Sequence, residues 1–245
     1  ASKPGAAARL DTARRLDEAG VPYDIVVEPD EADFYESEDQ GLRGKVLRLP
    51  ADFRTKFGTN DVAEGVHQGG IPARNFVWHH AEQAGATRHW ILDDNIQKFC
   101  RQYDNKRYRV RDCGALLRAI EDCAERHSNV ALAGPDDEKF AIPYLTAPLL
   151  KNSRVYSCIL IKTDVLPAKQ RWRGVYNEDT DLFLRLVKKG HGTLLCKSLL
   201  MKKHGTQQIA GGNTDTVYGS DQDRRKFAES LCAQHPEDVR VVKRY

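Results

Sequence analysis

The amino-acid sequence predicts an α/β fold in which helices flank a sheet of largely parallel character, within a single domain. Short apolar runs rich in β-branched residues alternate along the chain with stretches whose apolar residues recur at helical spacing. The 245 residues contain no internal repeat and no low-complexity linker, so we expect the whole chain, 1–245, to form one unit. With 40% hydrophobic and 30% charged residues, the composition is that of a globular protein with a sizeable core.

In the first half of the chain, glycine and proline mark most ends of the predicted elements. Gly20 and Gly85 end helices, while Pro29 and Pro50 close strands. Pro72 stands at the first turn of a helix, which tolerates a residue without an N–H. The predicted elements are helices over 5–19, 72–84 and 112–126 and strands over 23–27, 45–49 and 89–92.

The second half carries two longer apolar runs with an amphipathic helix between them. Strands are predicted over 155–161 and 193–200, and a helix over 179–189. The glycine-rich stretch 204–219 is predicted to be a mobile lid. Because ligands of α/β sheets collect at the carboxyl ends of the strands, we expect the site residues there.

Charge and cysteine content exclude several classes of protein. The 38 Lys and Arg against 35 Asp and Glu give a net charge of +3, too small by itself to indicate a polyanionic partner. No apolar run approaches the roughly 20 residues of a membrane helix, and no signal peptide opens the sequence. The six scattered cysteines indicate reduced thiols in a cytoplasmic protein rather than a disulfide scaffold or a zinc module.

An acidic cluster, Asp93-Asp94-Asn95, directly follows the predicted strand 89–92. Mg²⁺ and Mn²⁺ prefer oxygen ligands and often use one or two carboxylates together with nucleotide phosphates. The alternative is a loop start capped by Asp and Asn, which would suffice for an isolated tripeptide. The position at the carboxyl end of a strand favours the metal site.

A second acidic group, Glu178, Asp179 and Asp181, stands at the start of the predicted helix 179–189. Acids in the first turn of a helix cap it and complement its dipole, which accounts well for Asp181. Capping accounts less well for Glu178 and Asp179, because acids so close together repel one another. One of these two is therefore a candidate general base for a hydroxyl nucleophile.

Two further segments offer groups that bind phosphate or a metal. Lys202 and Lys203 follow an apolar strand and could meet phosphate, and a neutral His204 beside them could complete a metal site. The alternative for His204 is a solvated side chain at a strand end. The segment 69–75 places two glycines before a helix N-terminus that attracts anions, and its Arg74 can bind a phosphate through two N–H groups.

The segment 101–111 alternates basic and aromatic residues just after the acidic cluster. Basic side chains neutralise nucleic-acid phosphates, and aromatic rings stack on exposed bases. The alternative is a charged loop in solvent. The candidate DNA-binding residues are Arg101, Tyr103, Lys106, Arg107, Tyr108, Arg109 and Arg111.

As a set, these segments resemble the TET-associated glycosyltransferase family. The order of strand-end acids, Glu-Asp before a helix and a late histidine is similar to that of GT-A nucleotide-sugar glycosyltransferases. The similar segments are YDIVVEP (23–29), GIPARN (70–75), HWILDDNI (89–96), NEDTDLFLR (177–185) and HGTQQIAGGN (204–213). The resemblance implies a GT-A-like, Rossmann-type mixed sheet, with a nucleotide-binding half, 1–100, and an acceptor-binding and catalytic half, 101–245.

The resemblance also implies roles for individual residues. Asp179, with Glu178 beside it, becomes the candidate catalytic base if the reaction inverts the sugar. The implied ligands of Mn²⁺ or Mg²⁺ are Asp93, Asp94, Asn95 and His204, with Asn95 in place of the second acid of a strict DxD motif. The residues implied in binding the nucleotide sugar are Ser2, Lys3, Glu28, Arg74, Asn75, Asp93, Lys202 and Lys203. The chain begins where the family's first strand is expected to end.

Members of the family occur in phages and are linked to sugar transfer onto 5-hydroxymethylcytosine in DNA. We therefore expect a UDP-sugar donor, a divalent metal at its diphosphate, DNA as acceptor and the host cytoplasm as location. A target base inside a duplex would have to be flipped out. One alternative is a transferase that acts on protein Ser/Thr or a polysaccharide. The other is an inactive fold that binds nucleic acid or protein, against which the intact set of acids and histidine argues.

Overall fold

The structure is a computed structural model and describes residues 10–53, 70–142, 147–174, 177–204 and 221–242. Its helices are α1 (Asp11–Glu18), α2 (Ala32–Glu36), α3 (Ile71–Gln83), α4 (Cys113–Glu125), α5 (Glu178–Lys188) and α6 (Asp221–Gln234). Its strands are β1 (Asp24–Val27), β2 (Lys45–Arg48), β3 (Arg88–Leu92), β4 (Ile96–Tyr103), β5 (Lys106–Val110), β6 (Val130–Asp137), β7 (Leu149–Lys151), β8 (Cys158–Lys162) and β9 (Gly192–Lys203).

A mixed sheet of seven strands forms the centre of the described part of the chain. Its order is β3-β8-β6-β9-β4-β5, and β7 pairs with β9. β6 and β9 run parallel, and the remaining pairs of this sheet are antiparallel. β1 and β2 form a separate parallel pair. The predicted fold class, a mixed α/β sheet flanked by helices in one domain, is confirmed. The predicted parallel character is wrong for most of this sheet, because its neighbouring strands other than β6 and β9 run antiparallel.

Helices cover the two faces of the sheet, as the alternation along β8 shows. Cys158 and Leu160 belong to a core cluster with residues of α1 and α4, whereas Ile159 and Ile161 belong to a second cluster with residues of α3 and α5. Side chains of a strand point alternately to opposite faces, so the two clusters lie on opposite sides of the sheet. α3 and α5, which carry Arg74 and the Glu178-Asp179 pair, therefore share one face.

The predicted elements occur within the described residues, with shifted ends. The first helix starts at Asp11 in the described part, and the predicted strand 155–161 begins only at Cys158. Ser157 has a φ of 64°, a left-handed conformation that a strand does not continue through. β9 is longer than predicted and ends at Lys203. The predicted lid, 204–219, lies outside the described residues except for His204.

Three parts of the sheet were not predicted as strands: the β4–β5 hairpin, β6 and the short β7. The segment 101–111 is largely a hairpin of β4 and β5 rather than a loop, and its turn residues Asp104 and Asn105 have φ of 48° and 58°, as type I′ hairpin turns require. β6 has the sequence VALAGPDD, and Gly, Pro and Asp are depleted in strands. A Cβ at Gly134 would lie 2.3 Å from the carbonyl oxygen of Cys158, so glycine is required where β6 passes β8.

The six cysteines are free thiols, in agreement with the prediction. Burial raises the pKa of Cys113 to about 11 and that of Cys196 to about 12, so both are protonated near neutral pH. Within the described residues, none of the helices combines the length and the apolar character needed to cross a bilayer.

Candidate functional site

Asp93, directly after β3, forms ion pairs through both of its carboxylate oxygens. Arg74 of α3 donates from Nη2 to Oδ1 at 3.1 Å, and Lys203 at the end of β9 donates from Nζ to Oδ2 at 2.9 Å. Burial alone would raise the pKa of Asp93, but the two cations outweigh burial and hold it below its usual range. The structure thus brings the predicted strand-end acid and two predicted phosphate-binding cations together.

Arg74 connects this acid to the Glu-Asp pair of α5. Its Nη2 lies 3.6 Å from Oε1 of Glu178, and its guanidinium stacks over the ring of Trp172 at 4.8 Å from the ring centroid. Its Nη1 is buried and makes no hydrogen bond within the described part of the chain. Arg74 therefore holds two acids with one nitrogen and keeps a donor that a bound anion can use.

Glu178 and Asp179 form the first turn of α5, which begins after Asn177, a residue with a left-handed φ of 54°. Burial raises the pKa of Glu178; Arg74 lowers it and the neighbouring Asp179 raises it further, leaving it above its usual value. Asp179 accepts from the backbone N–H of Thr180 at 2.8 Å, and the Thr180 hydroxyl accepts from Nη1 of Arg154 at 3.0 Å. Glu178 and Asp179, the two acids predicted to include the general base, thus lie next to Arg74.

Asp181 lies in the first turn of α5, where an acid complements the helix dipole, but its side chain forms buried ion pairs instead. It is fully buried and accepts from Nε and Nη2 of Arg173 at 2.8–3.1 Å and from Nε of Arg185 at 2.8 Å. Nε2 of His235, just after α6, lies 2.9 Å from its Oδ1. Asp181 therefore fastens α5 to two neighbouring segments, which the sequence alone did not indicate.

His204 follows β9 and lies next to Asp11, at the start of α1. Its Nε2 is 2.9 Å from Oδ2 of Asp11 and 2.9 Å from Nε2 of Gln97, and its backbone N–H donates to the carbonyl of Asn95 at 3.3 Å. Oδ1 of Asn95 is buried and makes no hydrogen bond to any residue that the structure describes. Asp94 is exposed beside them. An acid, an amide and an imidazole thus lie around the end of β3.

These donors are of the type that Mn²⁺ and Mg²⁺ accept, oxygen atoms with one imidazole. An unsatisfied buried oxygen on Asn95 beside His204 fits a ligand role. Asp93 fits less well, because Lys203 and Arg74 already bind its two oxygens. Over the ranges that the structure describes, no three His, Cys, Asp or Glu side chains converge on a point that could hold a metal ion.

The remaining residues predicted to bind the nucleotide sugar are spread more widely. Glu28 directly follows β1, and Lys202 is exposed near the end of β9. Asn75 is buried, and its amide exchanges two hydrogen bonds with the main chain of Trp172, at 2.9 and 3.0 Å, so it holds the ring on which Arg74 stacks. Ser2 and Lys3 lie outside the described residues.

Sequence reasoning missed several residues that shape this region. Thr12 donates to the carbonyl of Asp93 at 2.5 Å and accepts from the N–H of Ile96 at 2.9 Å, so it fixes the loop that carries the acidic cluster. A third acidic pair, Asp136-Asp137, ends the buried strand β6. Two acids at the end of an apolar run were the available signal, but the Gly-Pro before them argued against a strand.

The hairpin of β4 and β5 presents the predicted basic and aromatic residues at the surface. The rings of Tyr103 and Tyr108 are 63% and 50% exposed, and the guanidinium of Arg101 lies 5.4 Å from the centroid of the Tyr103 ring. Lys106, Arg107 and Arg109 are exposed as well. Exposed rings and cations on one hairpin can contact nucleic acid.

Comparison with known families gives one match over most of the chain. The model of the TET-Associated Glycosyltransferase family matches residues 3–212, a range that includes Arg74, the acidic cluster, the Glu-Asp pair and His204. Comparison with curated proteins and with solved structures gives no match. The name of the family indicates a transferase of glycosyl groups. The resemblance inferred from the motifs is thereby confirmed, and the chain belongs to the TET-associated glycosyltransferase family.

Proposed function

We propose that the protein transfers a sugar from a UDP-sugar to the hydroxymethyl oxygen of 5-hydroxymethylcytosine in DNA, and that this reaction depends on Mn²⁺ or Mg²⁺. The observation that carries the proposal is the position of Arg74. Arg74 contacts Asp93, in the motif that the resemblance assigns to the donor diphosphate, and Glu178, in the motif that it assigns to the base. A donor and an acceptor bound at these two motifs would therefore be adjacent.

The donor half of the proposal rests on concentrated positive charge. Arg74 and Lys203 meet at Asp93, and Lys202 precedes Lys203 on β9. Cations fixed in a partly buried site stabilise the charge that develops on a departing diphosphate. Asp94, Asn95 and His204 would hold the divalent ion, with Asp93 if Lys203 leaves its carboxylate. When bound, such an ion acts as a Lewis acid toward the phosphate oxygens.

The acceptor half assigns proton removal to Asp179. The hydroxymethyl oxygen attacks the anomeric carbon, the bond from that carbon to the diphosphate breaks, and UDP departs with the electron pair. In an inverting reaction, Asp179 takes the hydroxyl proton as the new bond forms. Glu178, with its raised pKa, lies beside Asp179 and contacts Arg74. The exposed β4–β5 hairpin would hold the DNA strand through its cations and rings.

The test is mass spectrometry of nucleosides from a 5-hydroxymethylcytosine duplex incubated with the protein, Mn²⁺ and a panel of UDP-sugars. We expect 5-hydroxymethyl-2′-deoxycytidine to gain the mass of one sugar, and EDTA to abolish the gain. Release of UDP without modified DNA would instead favour a protein or polysaccharide acceptor. Release of UDP in EDTA at the full rate would contradict the metal requirement.

Matched variants separate a site effect from a general effect on the protein. Asp94→Asn and His204→Gln should remove metal-dependent turnover while thermal unfolding stays unchanged. Asp122→Asn, which removes an exposed acid on α4 away from the proposed site, serves as the control and should keep full activity. Unchanged turnover in both site variants would rule out their assignment as metal ligands.

A further inference from the structure

We propose that the acceptor nucleotide is received as an extruded cytosine-type base on a wall formed by Phe140, Tyr156 and Asp137. This inference rests on the proposed function and adds the residues that would recognise the base. The wall connects the DNA-binding hairpin to the candidate base Asp179. We refer to these three residues as the acceptor wall.

A continuous run of contacts leads from the surface to Asp179. The rings of Phe140 and Tyr156 meet edge to face, with centroids 6.1 Å apart. The guanidinium of Arg154 lies 4.9 Å from the centroid of the Tyr156 ring and donates to the Thr180 hydroxyl at 3.0 Å. Thr180 in turn donates to Asp179. A base bound on the two rings would therefore lie on the side of the molecule where proton removal is proposed.

Two features of the acceptor wall are typical of a surface that binds a ligand. The ring of Phe140 is 55% exposed, although burial of an aromatic ring is strongly favourable. The hydroxyl of Tyr156 is buried and makes no hydrogen bond to the residues that the structure describes. Buried polar groups are nearly always hydrogen-bonded, so an unsatisfied hydroxyl next to an exposed ring indicates a missing partner.

Asp136 and Asp137 provide buried acceptors at the same place. They are 4% and 7% exposed, and each uses Oδ1 to accept from a backbone N–H, at 2.9 Å. A carboxylate has about four acceptor positions, so both retain capacity for further donors. The backbone carbonyl of Asp137 accepts from the N–H groups of Phe140 and Ala141, at 2.9 and 3.1 Å, so this acid lies next to the exposed ring. Burial raises the pKa of the Tyr156 hydroxyl, and the charges of Asp137, Asp136 and Asp179 raise it further.

The chemistry of a cytosine base fits these groups. Its exocyclic amine is a donor that a carboxylate accepts, whereas uracil and thymine present a carbonyl oxygen at that position, which a carboxylate repels. Aromatic rings stack on an extruded base of either type. The acceptor wall would therefore hold many bases by stacking and would select cytosine through Asp137.

The attachment of the hairpin favours nucleic acid over a carbohydrate as the occupant. Nε2 of Gln102 donates to the carbonyl of Ile142 and Nη2 of Arg107 donates to that of Ala141, both at 2.7 Å. The ammonium of Lys139 lies 5.7 Å from the centroid of the Phe140 ring. Phe140 is therefore next to cations that can bind the phosphates on either side of an extruded nucleotide.

Asp137→Asn tests the selectivity for cytosine. The readout is the ratio of kcat/KM for duplexes that carry 5-hydroxymethylcytosine to kcat/KM for duplexes that carry 5-hydroxymethyluracil. We expect wild type to prefer the duplex with the cytosine form. In the variant, the ratio of the two kcat/KM values should be about 5- to 100-fold lower. A purely structural role would lower both rates alike and leave the ratio unchanged, which would overturn the assignment of Asp137.

Phe140→Ala tests stacking without turnover. In a duplex with 2-aminopurine beside 5-hydroxymethylcytosine, extrusion of the target base raises the emission of the probe. We expect the apparent affinity measured from this rise in emission to be about 5- to 100-fold weaker in the variant. The variant should still bind DNA in a salt-sensitive way. Val242→Ala, which removes an exposed apolar side chain near the C-terminus, should behave as wild type.

Three outcomes separate the inference from the function on which it rests. Sugar transfer to DNA with a normal probe signal in Phe140→Ala would overturn the acceptor wall and leave the proposed function intact. If wild type binds the duplex without raising the probe emission and transfers sugar to a polysaccharide, both proposals fail. If wild type raises the emission, Phe140→Ala weakens that rise and no sugar is transferred, the proposed function fails while the wall is supported.

Discussion

Asp179 and Asp181 lie two positions apart on α5 and have opposite surroundings. Asp179 is partly exposed and receives hydrogen bonds from its neighbour Thr180, whereas Asp181 is fully buried among Arg173, Arg185 and His235. If an acid in such an ion cluster took a proton during catalysis, the buried cations around it would lose the negative charge that balances them. The comparison teaches that one helix turn can carry both an acid for chemistry and an acid that fixes the position of the helix.

The largest expected effect comes from Asp179→Asn. The amide cannot accept a proton, so turnover should fall by about 10²- to 10⁴-fold, the usual contribution of a general base. UDP-sugar binding and the free energy of unfolding should change little, because Asp179 is not part of the Asp181 cluster. Steady-state kinetics, donor titration and urea denaturation check the three quantities; full activity would refute the assignment.

Asp181→Asn should reverse this pattern. The substitution removes a buried carboxylate charge that Arg173 and Arg185 share, a loss that typically costs about 3–5 kcal/mol of stability. Urea denaturation of the variant should show this loss. If activity instead disappears at unchanged stability, the distinction between the two acids fails, and Asp181 acts in the reaction.

His89 differs from both acids, because it is buried near a cation, Arg171, which disfavours its protonated form. Burial and the nearby Arg171 lower its pKa from 6.5 to about 4, so it is neutral in the folded protein. At pH values between these two pKa values, the unfolded chain binds more protons at His89 than the folded protein does. The free energy of unfolding therefore falls as the pH drops from 7 to 5. The expected loss is about 2 kcal/mol.

His89→Gln removes this titration and can still reach the hydroxyl of Thr163, which His89 contacts at 3.0 Å. The difference in unfolding free energy between pH 7 and pH 5 should therefore be smaller in the variant by about 2 kcal/mol. Other titrating groups are common to both proteins and cancel. Equal pH dependence of the two proteins would show that His89 is protonated in the folded state as well.

Much of the fold was predictable because local patterns carry it. Helical spacing over 112–126 and the apolar run over 89–92 gave α4 and β3 nearly to the residue. β6 was missed for a physical reason: its Gly-Pro-Asp-Asp ending opposes a strand locally, and pairing with β8 and β9 overrides that preference. Glycine is required there by the close approach of Cys158, which no local pattern reveals.

Local sequence patterns are enough to place acids after β3 and at the start of α5, and cations at the end of β9. The partners of these groups depend on the tertiary fold, since Asp93 and Lys203 are 110 residues apart and meet because β3 and β9 end on the same side. The charge state and role of an acid depend on its burial and on such distant partners. Asp179 and Asp181 therefore have different roles although they lie only two positions apart.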